Sequence, residues 1–353
     1  LNVAAVTFYL VYLVRLKNGT VHLTAARCQS RLRYSLYNRK GEVWIPSGRT
    51  SGPAGARATA ECAPDWGDAG VGACYAYAAG HQTRDGGFCY YAYAPWRVEE
   101  PNAPDTYAAI AICRILGRPV PRRGSCTAWL RAQQDFSGGY PSLLIGWCVL
   151  KALKLLDAKP MRDPRNYLHK AGQALFAADG SGGSLRGWLA NALRWIEAAM
   201  DYRIVASTQI RQGIAARLAR LRSGDGGYGA PGANLPETAE AAALAAAAAL
   251  PQDQALLGYT RQCEHPPFGF TITPLAAASG LECQHAGLQL LRRFRQHPRD
   301  PALIKSYVKS CQTASGGFGR VPGAIPRLDD SLRALEILAM LTRSESAAGD
   351  LLK

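Results

Sequence analysis

Gln82-Thr83-Arg84-Asp85-Gly86-Gly87-Phe88 decides the fold, because the chain writes it more than once. Gln134-Asp135-Phe136-Ser137-Gly138-Gly139-Tyr140 echoes it, and Gln312-Thr313-Ala314-Ser315-Gly316-Gly317-Phe318-Gly319 returns it near the end. Looser copies are Gly182-Gly183, Gly226-Gly227-Tyr228-Gly229 and Phe268-Gly269-Phe270. The reference glycines fall at 87, 139, 183, 227, 269 and 317, so the spacings are 52, 44, 44, 42 and 48. Six copies at such even spacing mean stacked supersecondary units rather than scattered turns.

Each unit reads as helix, Gly-rich loop, helix. Before the loop the pattern is amphipathic: in 206–222, Ile210, Ile214, Leu218 and Leu221 step by four, four and three, while Arg211, Arg217, Arg220 and Arg222 take the other sides. After the loop the helices are apolar nearly all round, as in Thr106 to Leu116, Ser142 to Leu156, Glu237 to Leu250 and Ser331 to Leu341. A helix apolar on every side must be covered on every side. An inner ring of apolar helices wrapped by an outer amphipathic ring satisfies both kinds. The glycine pair allows a tight turn, and the aromatic after it can pack under the next hairpin. Asp105-Thr106, Glu237-Thr238 and Asp329-Asp330-Ser331 read as caps of inner helices. The expected fold is therefore all-α: six hairpins, closed into a ring because no capping repeat is visible. The first outer helix is expected at about 68–80 and the last inner helix at about 328–342.

Composition agrees with a large folded core. The chain has 353 residues, 48% hydrophobic and 19% charged, which excludes disorder and a fibrous fold. Its ten cysteines form no C-x-x-C pair and read as reduced, mostly buried thiols. The expected location is cytoplasmic. Nine lysines and 32 arginines against 26 acids give a net charge of +15. Residues 1–60 hold nine basic residues and one acid, Glu42, or +8. The rest, 32 basic against 25 acidic, carries only +7, so nucleic acid is not an expected partner.

The domain reading is an irregular basic extension at 1–65, disordered or mistranslated, a toroid at 66–345 and a tail at 346–353. The apolar run Val3 to Val14 is about 12 residues, short of the roughly 20 a spanning helix needs. No basic segment precedes it and no small-residue cleavage site follows, so no signal peptide is expected. Asn18-Gly19-Thr20 fits a glycosylation sequon but has no secretory context.

The Gln-x-x-x-Gly-Gly-Phe/Tyr loop, followed by Pro104-Asp105-Thr106-Tyr107-Ala108-Ala109, resembles the prenyltransferase and squalene-cyclase repeat superfamily. So does Pro326-Arg327-Leu328-Asp329-Asp330-Ser331-Leu332-Arg333-Ala334-Leu335-Glu336. The resemblance covers about residues 66–345 and points nearest to bacterial prenyltransferase β-subunits. It implies an α/α toroid whose central cavity holds an isoprenoid. Protein prenyltransferase β-subunits of this superfamily use zinc; class II terpene cyclases use an Asp cluster.

Both signatures are altered. The zinc ligands of the transferases resemble Asp-x-Cys at one inner helix and a His at a later one, leaving the metal open to a substrate thiol. Here the matching residues are Leu281-Glu282-Cys283, with Asp330 near the His position. The resemblance thus implies an altered zinc site of Cys283, His285 or Glu282, and Asp330, against a buried structural Cys and a solvated His. In the cyclases Asp-x-Asp-Asp protonates an alkene; here the alignment gives Arg327-Leu328-Asp329-Asp330, with the acid position at Asp329. The alternative for Asp329 and Asp330 is plain helix capping.

For the cavity wall, Tyr107, Tyr140, Trp147 and Trp188 are the aromatic candidates, with ordinary core packing as the other reading. Arg186 and Arg333 lie near inner-helix starts and can meet a diphosphate. Gly226-Gly227-Tyr228-Gly229 is no nucleotide loop, since no strand precedes it and no Gly-Lys-Ser/Thr follows. His-Glu-x-x-His, Gly-x-Ser-x-Gly and a thioester Gly-Cys-Gly-Glu-Gln are missing. The resulting expectation is an isoprenoid-handling transferase acting on an allylic diphosphate, with a possible α-like subunit. A class II-type cyclase and a non-catalytic lipid- or protein-binding toroid stand beside it.

Overall fold

In the computed structural model, residues 67–90, 92–93, 98–177 and 184–350 are described, together with 14–15 and 21–22. The chain divides into two units, Leu1–Arg57 and Ala58–Lys353. In the first, β1 (Val14–Arg15) and β2 (Val21–His22) pair antiparallel, and the rest of it, with the Asn18 sequon, lies outside the described residues. The Gly182-Gly183 copy also lies outside them.

The second unit is helical. Its helices are α1 (Gly67–Gly80), α2 (Ala103–Ile115), α3 (Arg123–Ala132), α4 (Leu143–Leu155), α5 (Arg165–Leu175) and α6 (Leu185–Asp201). There follow α7 (Thr208–Leu221), α8 (Leu235–Ala247), α9 (Ala255–Gln262), α10 (Leu281–Arg293), α11 (Pro301–Ser310) and α12 (Leu328–Asp350). Two short antiparallel pairs interrupt them, β3 (Ala92–Tyr93) with β4 (Val98–Glu99) and β5 (Glu264–His265) with β6 (Gly269–Phe270). The last helix continues past the expected 342 to Asp350.

Helices α2, α4, α6, α8, α10 and α12 each pack on the next, and α12 packs back on α2. That contact closes a ring. Each odd-numbered helix packs on the even-numbered one that follows it, so the two rings inferred from hydrophobic patterning are both present. The inner helices bury side chains on most sides, including Ile110, Ile112, Val149, Leu153, Leu189, Ile196, Leu290 and Leu335. The outer ones bury a stripe: Cys126 and Leu130 on α3, or Ile214, Leu218 and Leu221 on α7.

The repeated loop explains its own sequence. Gly86, Gly138, Gly226 and Gly316 sit at φ between +86° and +102°, where a Cβ is strained. The residue three before each (Thr83, Asp135, Ser223, Thr313) donates its N–H to the carbonyl of the second glycine, at 2.8–3.0 Å. Gln82, Gln134 and Gln312 close the turn by donating Nε2 to the carbonyl of the first glycine. The aromatic that follows is buried: Phe88, Phe270 and Phe318 are fully covered. Each such burial contributes about 1.5–3 kcal/mol.

A hydroxyl then fastens loop to inner helix. Thr106, Thr238 and Ser331 accept from the N–H of Phe88, Tyr228 and Phe318, each at 2.9 Å, and each donates back to the carbonyl one turn earlier at 2.7 Å. In the fifth repeat Gln284 takes this place, accepting from Phe270 N–H at 3.1 Å. These residues were expected as caps. The caps of α2 and α8 are instead Asn102 and Asn234, whose Oδ1 atoms accept from the N–H of Asp105 and Glu237. Thr238→Val keeps shape but leaves the Tyr228 N–H without a partner, so it should lower unfolding stability by about 2 kcal/mol. Urea titration of both proteins checks this.

Candidate active site

The inner helices start at a common rim, which is crowded with charge. Arg186 pairs with the buried Glu237 at 3.0 Å, Arg327 with Asp329 at 3.0 Å, Arg333 with Asp330 at 3.1 Å, and Arg320 with Glu282. Glu240 lies within the field of Arg194, Arg186 and Arg333, yet burial still raises its carboxyl above the usual range. Arg186 and Arg333 therefore stand near the starts of α6 and α12, each already holding an acid. Arg186 is itself largely exposed.

Below the rim, Tyr107 of α2 and Trp147 of α4 meet edge to face, with centroids 5.0 Å apart. Trp147 donates Nε1–H to Glu197 Oε2 at 2.8 Å. Lys151 bridges Glu197 and Asp201 at 3.8 and 3.0 Å. His285 Nε2 lies 3.0 Å from Glu336 Oε2. The Tyr107 hydroxyl is held protonated first by burial and then by the nearby Glu336 and Glu197. Glu197 and Glu336 keep 35% and 38% of their side chains exposed although they sit on inner helices, so solvent reaches the lumen. The lumen is an aromatic pair among paired charges, not the aromatic wall expected.

Tyr140 and Trp188 are not part of that wall. Tyr140 is buried edge-on to Tyr167 of α5, 5.5 Å away. Trp188 is buried against Phe176, with the Arg217 guanidinium of α7 over its face at 5.3 Å. Both fill the layer between inner and outer helices. An all-round apolar helix does not announce which of its sides faces the centre.

The zinc reading depends on Cys283, His285 and Asp330. Cys283 is buried, and burial pushes its thiol up to about 12, so without a bound cation the group stays a thiol. The carboxylate position is the buried, apolar Leu281. His285 is spent on Glu336, and Asp330 on Arg333. Among the described residues no three His, Cys, Asp or Glu side chains gather as metal ligands. As arranged, Cys283, His285 and Asp330 do not come together as one ligand set. The eight described cysteines are all free and buried.

The acid pair divides differently from its alignment. Asp329 is half-exposed and held by Arg327. Asp330 is almost fully buried, and its carboxyl is raised from 3.8 to about 6, by burial first and by Asp329 second, against the opposing pull of Arg333 and Arg327. Burial wins over the ion pair, so the proton the alignment gives to Asp329 is better held at Asp330. The sign follows: between pH 3.8 and 6 the folded protein keeps a proton that the unfolded chain has released. The stabilisation is complete below pH 3.8 and is lost as pH rises through 6, about 3 kcal/mol in all. Denaturant titrations at pH 4 and 7 should show the wild type losing most of that amount, about 2 kcal/mol, relative to Asp330→Asn.

The closed inner ring, the outer ring that wraps it and the Gly-rich loops between them define an α/α toroid. Residues 54–142 and 283–351 match the family model of the prenyltransferase alpha-alpha toroid domain. No curated protein matches the chain. No helix among the described residues is long and apolar enough to cross a membrane.

Proposed function

We propose that the toroid binds an isoprenoid in its lumen and moves a prenyl group from an allylic diphosphate to a nucleophile. The observation that carries this reading is the half-buried Tyr107–Trp147 pair beneath the rim of Arg186, Arg320 and Arg333. An aromatic pair suits a polyisoprene chain, and guanidinium groups suit a diphosphate once it displaces their carboxylates. The transfer breaks the allylic C–O bond and releases diphosphate while the nucleophile forms the new bond to carbon. Geranylgeranyl diphosphate should quench the Trp147 fluorescence, and diphosphate should appear in solution when a thiol acceptor is added. Binding without diphosphate release sinks the transfer reading.

The raised Asp330 carboxyl favours a second reading, cyclisation begun by proton transfer to an alkene. The two separate cleanly by product. Proton-initiated cyclisation leaves the diphosphate on the substrate, whereas transfer releases it.

A further inference from the structure

A cavity of about 860 Å³ opens away from the rim, between the C-terminal turns of α4 and α6 and the segment leading into α5. Its charged lining is unbalanced. Lys154 pairs with Asp201, and Arg165 with Asp163. Lys159, Arg162 and Arg203 line the same groove, are exposed, and have no side-chain partner among the described residues; the one unpaired acid there is Asp157. Tight local geometry holds the backbone around them. Lys159 O accepts from Arg131 Nε, and Arg162 is bonded through its carbonyl and its N–H to Gln134.

Protruding apolar side chains stand in the same two segments as these cations. Met161, in the groove lining, is 66% exposed. Met200 and Val205 flank the Asp201–Arg203 stretch and are 59% and 87% exposed. Water gains nothing from three large apolar tips set around a cationic groove. An acidic bilayer surface satisfies both features at once, because headgroup phosphates meet the cations while short apolar side chains enter the interface.

We infer that this groove is a docking surface for a membrane rich in acidic phospholipid. The occupant is the bilayer surface, and its recognition does not depend on what the lumen binds. The full chain should sediment with phosphatidylcholine vesicles containing 30% phosphatidylserine, and release in high salt. The variant Lys159→Glu/Arg162→Glu/Arg203→Glu should bind about 100-fold more weakly, at roughly tenfold or less for each basic side chain removed. Pure phosphatidylcholine vesicles should not bind. The variant Met161→Ser/Met200→Ser/Val205→Ser should weaken vesicle binding at least tenfold. All six positions are exposed, so circular dichroism should match the wild type. Failure of the wild type to bind acidic vesicles, or equal binding by the charge variant, overturns the proposal. Equal binding by the apolar variant overturns the membrane assignment, leaving only a polyanion-binding surface. Activity with prenyl diphosphates is a separate measurement, so neither result decides the other.

Discussion

Gly316→Ala should strongly destabilise this protein. Gly316 lies at φ +90°, in the loop between α11 and α12, which packs against Ala73 of α1. A Cβ there would fall well inside 3.0 Å of the Ala73 carbonyl group, which is backbone and cannot swing aside. Two costs therefore combine, left-handed strain of roughly 1 kcal/mol and a clash at a seam that closes the ring. We expect a loss of about 3–4 kcal/mol, a large share of an ordinary domain's stability. Gly72→Ala is the control. Nothing lies within 4 Å of that position, which is inside α1, so the same methyl should stabilise by about 0.5–1 kcal/mol. Equilibrium unfolding in guanidinium measures both. Equal midpoints for the two variants would mean that the seam between Gly316 and Ala73 does not hold the ring shut.

The same residues show why the fold was legible in the sequence and the site was not. The Gly-rich loop needs a positive φ at its first glycine and contact room at its second, and Gly317 faces the Tyr77 ring closely enough to exclude a Cβ. Such local demands recur with every repeat, so they are written as residue identities at fixed spacing. Ring closure is harder to read, yet an inner helix apolar on all sides already requires neighbours on all sides. The caps were misread by one turn because Asn102 and Asn234 sit ahead of a proline, while the hydroxyls of Thr106, Thr238 and Ser331 answer a distant loop N–H.

The lumen depends on pairings that no local pattern carries. Trp147 and Glu197 are 50 residues apart in the chain, and His285 and Glu336 lie on different helices. Each makes sense only after the ring has closed. Trp188 and Tyr140 carry the opposite lesson. Their residue type suited a cavity wall, but helix rotation decides whether a large aromatic faces the centre or the layer behind it. Asp329 and Asp330 differ in burial, not in kind, so an alignment that placed the acid at Asp329 had no means of seeing which carboxyl is covered.

Asp330→Asn should separate the two chemistries proposed for the toroid. The substitution keeps the size of the side chain and an oxygen to accept from Arg333, and it removes the proton that burial holds on the carboxyl up to about pH 6. Positioned acids of this kind contribute about 10²–10⁴-fold to rate. If the reaction begins by protonating an alkene, the variant should lose about 1,000-fold in kcat while quenching of Trp147 by the isoprenoid stays within about threefold. The wild-type rate should also fall as pH rises through about 6, since the deprotonated carboxyl has nothing to donate. Prenyl transfer makes neither demand. It should keep its rate within about tenfold in the variant, because Arg333 remains to meet the diphosphate and the acid donates no proton. Measuring released diphosphate and cyclised product side by side, at pH 5 and 7.5, decides the matter. A variant that retains cyclisation with an unchanged pH profile removes Asp330 from the chemistry and leaves it a buried partner of Arg333.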